Sequence, residues 1–184
     1  MLKTDLDILL ENFIRRMRAY WQVIFISSIL FYGAAFAHHF STQRPPRIFS
    51  YFSAVDLASF VIAIFLAITI FQLKRRIFSL RQIRLFLEKI VKEEPELDDK
   101  MLIRRLTRQF GKKMKTVWLM GGGLILLGVV FYWLTFTTKN MHIYFIVGLY
   151  SLLMNYPRKD LFMDVSYLIR EVRLGSPADK KEIS

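Results

Sequence analysis

The sequence predicts an all-α membrane protein, with four transmembrane helices in two hairpins and amphipathic cytoplasmic helices beside them. Three observations carry that prediction. Two long apolar blocks, Ala19 to Leu73 and Thr116 to Pro157, hold nearly all of the uncharged sequence. Lys and Arg are expelled from those blocks and crowd their flanks, where a soluble core would mix charged residues in at helical spacing. The order amphipathic stretch, apolar stretch, link, apolar stretch occurs twice. A hydrophobic content of 54% and a mean hydropathy of +0.32 agree with lipid as the solvent.

A helix needs about 20 apolar residues to cross the hydrocarbon layer. The first expected span runs from Ala19 to Ala37 and is followed by His38 and His39. The second runs from Ser53 to Leu73 and the third from Thr116 to Thr138. The fourth, Met141 to Pro157, is short at 17 residues. Asp5, Asp7 and Glu11 stand where a signal peptide would carry positive charge, so the first span is read as uncleaved. The link from Ser41 to Arg47 is polar and contains Pro45 and Pro46, a loop signature. The link Thr138 to Asn140 is nearly minimal and implies a tight antiparallel hairpin.

Orientation follows from the basic residues. Residues 1–18 carry four Lys and Arg, residues 74–115 fourteen and residues 158–184 six. Only Arg44, Arg47 and Lys139 fall in the other links. Both termini and the middle segment are therefore expected on the cytoplasmic side. Trp21 and Trp118 at the inner boundaries, and Trp133 toward the outer one, read as interfacial anchors.

The flanks carry apolar stripes at helical spacing. Leu6, Leu10, Phe13 and Met17 mark the N-terminal one. Ile77, Leu80, Ile83, Phe86, Leu87, Ile90 and Val91 mark the middle segment, which Pro95 interrupts. A second middle helix, starting near Asp98 or Asp99, carries Met101, Leu102, Leu106 and Phe110. In the tail the stripe is Leu161, Val165, Leu168, Ile169 and Val172. Such helices either lie in the lipid interface or pack on one another or on a partner.

The run Asn12 to Trp21 matches Gln109 to Trp118 without a gap, with Phe, Met, Trp and the basic positions coinciding. This suggests a tandem duplication of a two-span unit, residues 1–92 and 93–184, related by an axis along the membrane normal. Small residues recur at helical spacing: Gly33 and Ala37, then Ser59, Ala63 and Ala67, then Gly121 and Gly128. They are expected to let helices approach closely.

The net charge of +12 comes without any zinc spacing, RNA-binding signature or helix-turn-helix pattern, so no nucleic-acid partner is expected. The basic flanks Arg15, Arg16, Arg18, Lys74, Arg75, Arg76, Lys112, Lys113, Lys115, Arg158 and Lys159 instead suit anionic lipid headgroups. The chain has no cysteine, which rules out disulfides, thiolate metal sites and Cys nucleophiles. No phosphate loop, nucleophile elbow, HExxH or paired-carboxylate motif occurs, and no catalytic residue is assigned. Asp56 is the one acidic residue in a span, and Ser53 to Asp56 fits a capping box. His38, His39 and His142 lie near the outer boundary. With Asp56 they could hold a metal, or His38 or His39 with His142 could ligate a b-type haem. The plainer reading is interfacial histidines at helix ends. The expected function is that of a non-catalytic multi-pass membrane protein, an accessory subunit of a complex or a self-assembling scaffold with a protein partner or copies of itself. A small transporter or channel and a haem electron carrier are the alternatives. The two-block layout also resembles the hairpins of the reticulons, but the Arg44–Arg47 link wants water, which favours full crossing.

Overall fold

The computed structural model describes residues 2–42, 44–47, 50–77, 80–158 and 165–174. Helices dominate, and no strand occurs among the described residues. They are α1 (Leu2–Thr42), α2 (Phe52–Ile77), α3 (Leu80–Glu93), α4 (Asp99–Thr135), α5 (Lys139–Met154) and α6 (Val165–Leu174). Segments within α1, α2 and α4 (Leu6–Thr42, Phe52–Arg75 and Asp99–Thr135) are long and apolar enough to cross a membrane, which marks an integral membrane protein. α5 has 16 residues and rises about 24 Å, less than the ~30 Å hydrocarbon layer.

The expected N-terminal helix and first span are one continuous α1, and the second middle helix and third span are one continuous α4. No proline falls inside either, so nothing interrupts the backbone ladder where the side chains change from polar to apolar.

The chain divides into two compact units. The first takes residues 1–19, 75–114 and 157–184; the second takes 20–74 and 115–156. Each draws on both sequence halves.

The first unit has a core of the kind seen in water-soluble helical proteins. Leu6, Leu10, Ile14 and Met17 of α1 are buried, as are Ile83, Leu87, Ile90 and Val91 of α3. α4 contributes Leu102, Ile103, Leu106, Phe110 and Met114, and α6 contributes Val165, Ile169 and Val172. Each such side chain contributes about 1.5–3 kcal/mol on leaving water. Met101, expected on the buried stripe, is exposed, and Ile103 takes its place. Leu161 lies outside the described residues. α3 packs on α6, and Arg84 pairs with Glu171 at 2.9 Å across that contact. The ring of Phe13 lies against Gly111, where an added Cβ would come within 3.1 Å. α3 ends at Glu93 before Pro95, and α4 starts at Asp99, whose first turn donates the amides of Met101 and Leu102 to the Asp98 carbonyl. Arg105 bridges that turn to Glu94 at 2.7 Å.

In the second unit α4 and α5 form a close hairpin, and α1 and α2 each pack against both. More than half of the most apolar stretch of α4 is buried, against 11% for α1 and 17% for α2. The outward side chains of α1 and α2, such as Leu30, Phe31, Phe65 and Phe71, are large and apolar. Such a surface suits lipid rather than water.

Candidate functional site

Glycines bring the α4–α5 hairpin together. A Cβ at Gly148 would lie 2.6 Å from Ile125 Cγ1 and 2.8 Å from the Gly121 carbonyl oxygen. One at Gly128 would meet the backbone of Met141 at 3.2 Å, and one at Gly121 would meet Leu152 and Ser151. Gly122 faces Ile24 and Ser28 of α1. On α2, Ser59 and Ala63 are buried and Ala67 is half-buried. Ala63 packs with Leu124 and Tyr144, and the Ser59 and Tyr144 hydroxyls lie 3.1 Å apart. The small pair on α1 behaves differently. Gly33 and Ala37 are exposed, and an added Cβ at Gly33 would meet nothing within 4 Å among the described residues beyond its own stretch of helix. The buried small residue of that region is Ala35, on the opposite face.

Trp21 and Trp118 correct the anchor expectation. Both are buried, and their indoles donate to the carbonyls of Leu152 and Asn155, at 2.9 and 2.8 Å. A helix leaves its last four carbonyls unsatisfied. At the end of α5 the Leu152 carbonyl receives Trp21, and the Ser151 and Leu153 carbonyls receive the amides of Asn155 and Tyr156. An indole needs a partner once desolvated, and the helix end supplies one. Trp133 is exposed. Next to this helix end, Ser151 Oγ and Asn155 Oδ1 are buried with no hydrogen-bond partner among the described residues.

Asp56 is likewise corrected. Its carboxylate accepts the side-chain amide of Asn140 at the start of α5, tying α2 to α5 rather than capping its own helix. His38 and His142 pair with tyrosines. His38 Nδ1 lies 2.9 Å from the Tyr132 hydroxyl, and His142 Nδ1 lies 2.8 Å from that of Tyr32. The Tyr32 ring stacks on Phe145 at 3.7 Å. His39 meets Tyr132 and Phe40 edge-on. The candidate ligand set His38, His39, Asp56 and His142 is not drawn together: no group of three or more His, Asp or Glu able to hold a metal occurs among the described residues.

The connection from α4 to α5 is tightly built. Phe136 adopts φ 53°, and its amide bonds the Tyr132 carbonyl. Thr135 Oγ1 lies 2.8 Å from the Phe131 carbonyl and 2.7 Å from Thr137 Oγ1. The Arg47 amide donates to the Thr135 carbonyl at 2.8 Å.

Among the basic flanks, Arg15, Arg16, Arg75, Lys112, Lys113 and Arg158 are exposed. Arg18 is half-buried and donates to the Pro157 carbonyl; Lys115 sits 4.6 Å from the centre of the Tyr20 ring; Lys74 is half-buried. The Arg76 side chain and Lys159 lie outside the described residues.

Sequence reasoning missed Tyr32, Tyr132, Tyr144, Asn140, Gly122 and Gly148. A signal existed: a tyrosine hydroxyl inside an apolar span requires a partner. No protein-family model matches the chain, and no curated protein or solved structure shows significant similarity to it.

Proposed function

We propose that this protein is a non-catalytic scaffold or accessory subunit of a membrane assembly. It would cross the bilayer four times, with both termini cytoplasmic, and present its first unit, with the basic flanks, to anionic headgroups. The observation that carries the reading is the unequal use of small residues. The ridges on α2 and α4 are spent inside the chain, whereas Gly33 and Ala37 stand open on α1 within the apolar stretch Val23, Ile26, Leu30 and Phe40. In lipid a small-residue ridge gains its value from a second helix lying against it. That favours a neighbouring subunit, another copy of this chain or a different protein.

Duplication is part of the same reading. Aligned on Trp21 and Trp118, six of the seven buried α1 residues, Leu6, Ile14, Met17, Trp21, Ser28 and Ala35, fall opposite Ile103, Gly111, Met114, Trp118, Ile125 and Tyr132, which are also buried; the seventh, Leu10, falls opposite the half-buried Thr107. The α3–α6 contact would then join counterpart helices.

The test is the particle mass in lipid nanodiscs or mild detergent. Wild type should run as an assembly, and Gly33→Leu should release it without lowering the helix content or thermal stability of the single chain. A wild-type monomer without a co-purifying partner would sink the proposal. A carrier reading draws on the unpartnered oxygens of Ser151 and Asn155; liposome flux that Asn155→Leu leaves unaltered would remove it.

A further inference from the structure

The link between α1 and α2 meets the α4–α5 turn in a feature that assembly does not use. A bulky residue in the left-handed region costs about 1–2 kcal/mol and persists where its surroundings over-determine it. At Phe136 they do. Its ring is buried with Ala35, Val129, Tyr132 and Met141. The guanidinium carbons of Arg47 and Arg44 lie 4.3 and 5.6 Å from the ring centroid. Two cations on one ring repel each other, and neither forms an ion pair among the described residues. Asp56 is held by Asn140. A guanidinium resting on a ring keeps its N–H donors in plane, where they suit a bidentate oxyanion. Both arginines are exposed, so their donors are open to the surroundings. They are also two of the three basic residues that the charge bias leaves on this side of the membrane.

We propose that Arg44 and Arg47, braced on Phe136, form a phosphate clamp at this end of the second unit. The ligand chemistry is a phosphate oxyanion, supplied by an anionic phospholipid headgroup or by soluble phosphate. The left-handed turn at Phe136 sets the ring where both guanidiniums reach it, and the Arg47 amide bond to Thr135 holds the link in place. Binding neutralises the two cations together.

The experiment is hydrogen exchange on the whole chain in an uncharged maltoside micelle, reading the amides of Arg47, Phe136 and Thr137. One arm adds inorganic phosphate; the other adds phosphatidylglycerol. Protection at these amides should rise about tenfold in at least one arm, as expected of charge-assisted hydrogen bonds to a bound anion. A rise with phosphatidylglycerol alone assigns the clamp to lipid, and a rise in both assigns it to phosphate in general. The doubly substituted Arg44→Gln/Arg47→Gln chain should lose the response while exchange in α5 stays as in wild type. Arg47→Lys keeps the charge but loses the fork, and should respond less than wild type. No response in either arm, or an undiminished response in the double variant, overturns the proposal. Particle mass plays no part in this readout, so it can fail while the assembly reading stands.

Discussion

α1 and α4 are alike in length, at 41 and 37 residues, and in the placing of a tryptophan, yet they are used oppositely. α4 is the more buried, with α1, α2 and α5 all against it, and its glycines Gly121, Gly122 and Gly128 admit α1 and α5. α1 packs on one face only and turns its Gly33 outward. The difference teaches that a glycine in an apolar helix has no fixed meaning. Where a backbone approaches it, the missing side chain sets the spacing of two helices. Where nothing approaches, it is a flexible residue that leaves a shallow notch.

The sharpest way to break this contrast is at the closest approach. Gly148→Val should force α5 off α4, because the Gly121 carbonyl is backbone and cannot swing aside. Overpacking of this kind costs about 3 kcal/mol or more, readable as a lowered midpoint in detergent-induced unfolding. An unchanged midpoint would mean the hairpin is looser than described.

Next in size is Trp118→Phe, which strands the buried Asn155 carbonyl. The loss should be about 1–3 kcal/mol by the same assay. Trp21→Phe should behave similarly at the Leu152 carbonyl, so a large gap between the two would show that only one indole secures the end of α5.

Gly33→Ala tests the opposite sign. With no neighbour to strike, the methyl should raise the stability of the single chain by about 0.5–1 kcal/mol through helix preference alone. Destabilisation of the isolated chain would place a neighbour where none is described.

The smallest expected effect is Tyr144→Phe. It removes the hydroxyl contact with Ser59 and should cost about 0.6 kcal/mol, the usual value of a side-chain hydrogen bond between helices in lipid. A larger loss would mean that α2 depends on polar contacts more than on packing.

Much of the fold could be read from local chemistry. The turn from Glu93 to Asp99 was legible because Pro95 and the acidic run act on their own neighbours. The apolar stretches were legible because composition alone drives them toward lipid. The buried stripe of α3 followed from spacing, as did most of that on α4. What local chemistry could not supply was direction. Gly33 and Ala37 have the same spacing as Ser59 and Ala63, and only the positions of other helices decide which pair is covered. Trp21 and Trp118 lie at the polar ends of apolar stretches, the usual place for an interfacial ring, yet the end of α5 arrives to accept their protons. Asp56 had a local partner available in the first turn of its own helix and instead meets Asn140, 84 residues away. The continuity of α1 and α4 was within reach, since no proline separates their polar and apolar parts.

The shortness of α5 has a consequence for where such a chain would settle. The two indoles grip its final carbonyls, and the Asn140–Asp56 bond holds its start, so the helix cannot slide along its axis to suit its surroundings. Were α5 to cross as a fourth span, the adjustment would fall on the lipid: acyl chains beside α5 would have to shorten by several ångströms relative to those beside α1 or α2. Among membranes of unequal thickness, the protein would then partition into the thinner.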